Sequence, residues 1–234
     1  MWACSLFCWQ NSTLRSRKPK FTNKIFIVIR TFSSRAGRLS ATNKHYLHLN
    51  SSCVLSQDYK LKENSKEILL DIGFGDGISL SEDIEKYKDI LFIGIEPYKK
   101  GFARMVEFYE KNHPNNLLLY NGCAKDFIKS LECKVKYIRI HFPDPWPKKK
   151  HAKRRLINLN FFNLITNVLK PEGLMQIVTD SHIYQEHIQE VIVQQKFFEI
   201  ISNYPIGYAV STFHKKGLEK KHNIKEYNLK LSKN

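Results

Sequence analysis

The sequence predicts an α/β protein in which helices cover both faces of a mostly parallel sheet. Three observations carry that reading. Short apolar runs of strand length recur from about residue 65 onward, and segments with a helical apolar period lie between them. Residues able to carry chemistry follow directly after these runs, and ligands of such sheets bind at the carboxyl ends of the strands.

The first run, Glu67-Ile68-Leu69-Leu70-Asp71-Ile72, is short and apolar and ends in glycines, as a buried strand does. Runs at 91–95, 117–120, 135–140 and 174–178 repeat the signal. Phe102, Met105, Val106 and Tyr109 share one face of a helix after the second run, and Ile183, His187, Ile188, Val191 and Ile192 share one face of a helix after the fifth. Residues 1–24 show neither period. They read as a basic tail, followed by a basic entry segment over 25–64 and the main domain over 65–234.

At 234 residues the chain is long enough to bury a sizeable core, and 42% hydrophobic with 26% charged residues excludes wholesale disorder. The longest strongly apolar run, at 25–29, is far too short to span a bilayer. The anomaly is charge: 38 Lys and Arg face 22 Asp and Glu, a net charge of +16 that points to a polyanionic partner. Asp58 is the first acid, and nine Lys or Arg precede it. The acid-free start reads as a solvated tail, a nucleic-acid-binding arm or an organelle transit peptide, in that order. Five cysteines without a C-x-x-C pair fit a reducing compartment, and His182 and His187 lack the spacing of a metal motif, so no metal is expected.

The first strand opens into Gly73-Phe74-Gly75-Asp76-Gly77, where closely spaced glycines let a ligand approach the backbone. A dinucleotide fingerprint needs a third glycine where Ile78 stands, which disfavours a nicotinamide oxidoreductase. Glu96 ends the second strand about twenty residues later, placed to accept hydrogen bonds from ribose hydroxyls. The third strand ends in the segment 121–126, a place for contacts to an adenine ring. After the fourth strand comes His141-Phe142-Pro143-Asp144-Pro145-Trp146-Pro147-Lys148-Lys149-Lys150-His151-Ala152-Lys153-Arg154-Arg155. Alternate prolines fix φ and remove donors, so this is a stiff loop that locks Asp144 in place, with six cations in the next stretch. A nucleic-acid substrate entering at this edge is the reading favoured.

The loop at 142–149 with Lys153-Arg154-Arg155, joined to Asp71-Ile72-Gly73-Phe74-Gly75 and Gly94-Ile95-Glu96, resembles the bacterial-type tRNA (guanine-N7-)-methyltransferase family. The similarity runs over residues 29–231 and includes Ile29-Arg30-Thr31-Phe32 and Gly37-Arg38-Leu39-Ser40. It implies a Rossmann-like class I S-adenosylmethionine-dependent methyltransferase with a mostly parallel seven-stranded sheet. The implied activity is methyl transfer to N7 of guanine 46 in the variable loop of tRNA. Asp144 becomes the catalytic carboxylate. Asp71, Gly73, Gly75, Gly77, Glu96, Cys123 and Ala124 become cofactor residues, with Cys123 standing where an Asp is usual. Lys148, Asp180, Ser211, Phe213 and His214 become substrate residues, with Ser211 for Thr and His214 for Glu. Lys149, Lys150, Lys153, Arg154 and Arg155 become phosphate contacts on the RNA. The partner expected is tRNA, with no membrane and no metal, and the protein working as a monomer or homodimer without a dedicated partner subunit. The location expected is the cytoplasm, or an organelle if 1–24 is a transit peptide. The alternatives are another class I RNA methyltransferase and a catalytically impaired RNA-binding relative.

Overall fold

Each of the five apolar runs is a strand in the computed structural model, which describes residues 29–33, 37–56, 61 and 66–232, except the side chain of Phe213. The expected tail over 1–24 lies outside the described residues. In chain order the elements are α1 (Ala41–His48), β1 (Glu67–Ile72), α2 (Ile78–Lys86), β2 (Ile90–Ile95), α3 (Lys99–Asn112), β3 (Leu117–Tyr120), α4 (Ala124–Ser130), β4 (Val135–His141), α5 (Leu159–Thr166), β5 (Leu169–Thr179), α6 (His182–Gln194), β6 (Phe198–Ile200), α7 (Thr212–Glu219) and β7 (Lys225–Leu231). A 3-10 turn spans Lys149–Arg154.

The seven strands form one sheet in the order β3-β2-β1-β4-β5-β7-β6, with β7 antiparallel to both of its neighbours. The inner strands are buried on both faces, which is why β1 and β2 read as continuous apolar runs rather than alternating ones. Ile68, Leu70 and Ile72 pack with Phe127 of α4, Phe161 of α5 and Ile188 of α6 on one face. Leu69 and Phe92 pack with Leu80 of α2 and Phe102 and Met105 of α3 on the other. The strand order reverses between β1 and β4, the place where open α/β sheets hold ligands.

Several boundaries differ from the sequence reading. β5 starts at Leu169, five residues early, because the ladder with β4 carries a register irregularity that accommodates Pro171 and a left-handed Glu172 (φ 55°). On α6 the buried face begins at Tyr184, which is fully buried, and Ile183 is 44% exposed. The Tyr184 hydroxyl accepts from the Ile157 amide (3.1 Å), so its polar tip is satisfied under the core face. Part of the entry segment joins the fold. Cys53 and Leu55 are buried, and the Leu55 and Leu119 amides bond across the β3 edge at 2.8 and 2.7 Å to the carbonyls of Leu119 and Cys53.

Candidate active site

The carboxyl ends of β1, β2 and β4 and the start of α4 open onto a cavity of about 330 Å³, within the size range of small-molecule sites. Gly73, Gly75, Glu96 and Ala124 line it. Gly73 sits at φ +81°, and no atom lies within 4 Å of where a β-carbon would be, so its backbone is bare to the cavity. Glu96 is buried, and its carboxylate accepts from the Gly75 and Tyr98 amides, both at 2.7 Å. Each oxygen keeps a lone pair for a further donor, such as a ribose hydroxyl. Burial first, and then the charges of Asp71 and Asp144, outweigh those two amides and push the Glu96 carboxyl up to about 7. The glycine loop is also shaped from outside: at Gly101, on α3, a β-carbon would overlap the Gly75 carbonyl.

The stiff loop after β4 forms the opposite wall. His141, Phe142, Pro143 and Asp144 line the cavity, which brings Asp144 and Glu96 to one space. Phe142 and Trp146 hold left-handed backbone (φ 49° and 43°), at a cost of about 1–3 kcal/mol each. Contacts from distant segments hold that strain. The Ser33 amide donates to Asp144 Oδ2 at 2.7 Å, and Trp146 Nε1 donates to the Thr31 carbonyl at 3.1 Å. Residues 31–33 therefore strap across the loop and line the cavity themselves. Arg154 stacks over the Trp146 ring at 4.8 Å. Lys148, Lys149, Lys150 and Lys153 stand exposed after Asp144 and form a cationic rim.

Beneath this wall a polar row crosses four strands in register, Asp71, Arg139, Gln176 and Asn228. Arg139 is fully buried and donates to Asp71 Oδ2 (2.6 Å) and Asp83 Oδ2 (2.5 Å). Burial opposes its charge, but the two carboxylates outweigh that and raise its pKa further. Asp83 also accepts from the Ala209 amide (3.2 Å), and Thr212 donates to Asp76 at 2.5 Å. The segment leading into α7 is thereby tied to α2 and to the glycine loop. None of these ties was read from sequence: Arg139 sits in an apolar run, and its partners lie 56 and 68 positions away.

The remaining expected residues fall in different places. Asp71, expected as a cofactor residue, pairs through Oδ2 with Arg139 and is not among the residues that line the cavity. Gly77 caps α2 with its α-carbon against Met105, and Cys123 caps α4; neither lines the cavity. Arg155, expected as a phosphate contact, is 8% exposed, and its Nε donates to the Pro145 carbonyl (3.1 Å), bracing the loop from behind. Asp180 pairs with His222 at 2.9 Å. Ser211 Oγ caps α7, accepting from the His214 amide (3.2 Å). The His214 ring lies 5.6 Å from Phe142 and 5.8 Å from Tyr208, which brings α7 to the loop. The Phe213 side chain lies outside the described residues. Among the described residues no cluster of metal-ligating side chains occurs, and no helix is long and apolar enough to cross a membrane.

A family model described as "Putative methyltransferase" matches residues 65–227. The tRNA (guanine-N(7)-)-methyltransferase of Neorickettsia sennetsu is 32% identical over 212 residues, 90% of this chain and 92% of its own. Its counterpart from Wolbachia pipientis wMel is 32% identical over 176 residues, 75% of this chain and 80% of its own. Among solved structures, an rRNA methylase from Streptococcus thermophilus matches with a TM-score of 0.51 at 10% identity, over 73% of this chain and 89% of that one. That last likeness is one of fold.

Proposed function

Because the chain belongs to the tRNA (guanine-N7-)-methyltransferase family, we propose that it methylates N7 of a guanine in tRNA, position 46 of the variable loop. The observation that carries this reading is the single cavity shared by Glu96, the glycine loop and Asp144, with a cationic rim directly after Asp144. The residues present fit S-adenosylmethionine. Gly73 and Gly75 leave room for close approach, Glu96 offers acceptors to the ribose hydroxyls, and Ala124 lines the side toward α4. That cofactor supplies a methyl group activated by a sulfonium.

Guanine N7 carries an in-plane lone pair and no proton, so no side chain has to act as a general base toward it. The chain's task is alignment, and well-aligned reactants gain several kcal/mol from proximity alone. Asp144, held by the Ser33 amide and the proline frame, accepts from the guanine N1–H and amino edge. Lys148, Lys149, Lys150 and Lys153, with Arg154 over Trp146, hold phosphates of the tRNA. Neutralising all three of Lys148, Lys149 and Lys150 with alanine is expected to make tRNA binding less salt-dependent, lowering the log–log slope by about 2–3. An unchanged slope in a filter-binding series would remove them from the phosphate contacts.

Glu96 sets a pH dependence. Its acceptor role needs the carboxylate, and its carboxyl is held up at about 7. Cofactor affinity should therefore be full above pH 7 and fall as pH drops through 7, toward tenfold per pH unit at the limit. Glu96→Gln should bind more weakly and with no slope, as calorimetric titration from pH 5.5 to 8.5 would show. We further propose the cytoplasm as location, and a monomer or homodimer without a dedicated partner subunit.

The test is transfer of labelled methyl from S-adenosylmethionine to unmodified tRNA and, in parallel, to ribosomal RNA. Labelled tRNA is the expected outcome. Label in ribosomal RNA alone would make this a different RNA methyltransferase, and tRNA binding without transfer would make it an impaired RNA-binding relative.

A further inference from the structure

His141, the last residue of β4, lines the cavity beside Asp144, yet no role above uses it. Its Nε2 lies 2.9 Å from Gln176 Oε1, and the Gln176 amide nitrogen lies 3.1 Å from Asn228 Oδ1 and 3.5 Å from Glu226 Oε2. Since that nitrogen donates toward β7, the Gln176 oxygen must receive a proton from the imidazole, which fixes the ring as the Nε2–H tautomer. The Tyr208 hydroxyl donates to Glu226 Oε1 at 2.6 Å, and the Tyr208 ring packs on His141 at 4.3 Å, so tautomer and ring plane are both held. Burial, and then the Arg139 charge, keep the imidazole well below its ordinary pKa, hence neutral. Its Nδ1 is left as a bare acceptor without a protein hydrogen-bond partner among the described residues. The His141 side chain lines the cavity, and Nδ1 is not among the fully buried unpaired atoms.

A fixed, neutral acceptor next to a carboxylate suits an N–H donor on a flat, uncharged ligand. We propose that His141 is a second guanine-reading residue, whose Nδ1 accepts one hydrogen of the exocyclic amino group while Asp144 takes the N1–H and the other. This rests on the reading of the site as a guanine-N7 methyltransferase. It assigns discrimination to the amino group, which adenine lacks at that position, and gives a purpose to the relay from Asn228 and Glu226 through Gln176.

The probe is a tRNA carrying inosine at the target position, which keeps N7, O6 and N1–H and lacks only the amino group. Wild-type enzyme should prefer guanine to inosine in kcat/KM by about tenfold or more, the scale of one lost buried hydrogen bond. In His141→Phe that preference should fall by about tenfold. His141→Asn, whose amide oxygen can take the place of Nδ1, should restore part of it. Comparing this ratio between variants cancels the intrinsic difference in N7 reactivity between the two bases. Equal guanine-to-inosine preference in wild type and His141→Phe would overturn the proposal, as would a His141→Phe defect confined to S-adenosylmethionine affinity. Should the variants fail to fold, wild type alone decides: equal rates on guanine and inosine overturn it. Failure of the functional reading looks different, since then neither tRNA is methylated by the wild type.

Discussion

Asp144→Asn is expected to lower kcat/KM for tRNA about 10²–10³-fold, the cost of losing one preorganised polar contact to the reacting base. S-adenosylmethionine binding should persist, since Gly73, Gly75, Glu96 and Ala124 are untouched. The asparagine keeps an oxygen for the Ser33 amide, so the strap over residues 31–33 stays docked and the loss reports on the base rather than on the strap. Asp144→Ala removes both and should cost at least as much. Single-turnover methyl transfer, alongside a cofactor titration, separates the outcomes. A normal rate in Asp144→Asn would show that the carboxylate charge has no part in aligning guanine.

The second large effect lies in the core. Arg139→Met is expected to destabilise the fold by about 3–5 kcal/mol, because it leaves two buried carboxylates, Asp71 and Asp83, without their shared cation. For a chain of this size that is a drop in Tm of roughly 10 °C. The sign with pH follows from the orphaned acids. Their charged forms become costly in the folded state, which raises their folded pKa, so the penalty is full at neutral pH and shrinks as acid protonates them. Adding Asp71→Leu and Asp83→Leu to Arg139→Met should recover most of the loss, since apolar replacements of a buried ion triad are commonly neutral or better. Thermal melts at pH 7.5 and 5.5 check both statements. A single variant as stable as wild type would show that the triad holds nothing.

The sheet was legible in the sequence for a physical reason. Inner parallel strands bury both faces, so β1 to β4 appear as mainly apolar runs, broken only by Asp71 in β1 and by Lys136 and Arg139 in β4. β5 was legible only in its regular half, because Pro171 and Gly173 obey the local irregularity rather than the ladder. β6 has three residues and β7 alternates polar and apolar residues, so neither stood out. At the site, alternate prolines announced the rigidity of the Asp144 loop, but not what braces it. Thr31 and Ser33 reach it across 115 and 111 positions through backbone atoms, which leave no trace in side-chain pattern. Asp71 shows the converse. The resemblance offers it to the cofactor, and nothing in the sequence announces Arg139, toward which strand alternation turns it on the face of Leu69. Arg155 likewise closes a run of cations, and only burial separates it from the exposed ones.

The excess of basic residues divides in the same way. Part of the +16 charge faces solvent beside Asp144, where a polyanion would meet it, and part, in Arg139 and Arg155, is consumed in holding the frame. The central claim is that this frame presents guanine N7 to a methyl donor. Its most direct test is nucleoside mass spectrometry of unmodified tRNA after incubation with the purified protein and S-adenosylmethionine, with oligonucleotide mapping of the product. Expected is 7-methylguanosine confined to the variable loop, and its disappearance with Asp144→Ala. Methylation at another atom or another base, or 7-methylguanosine undiminished in Asp144→Ala, would contradict it.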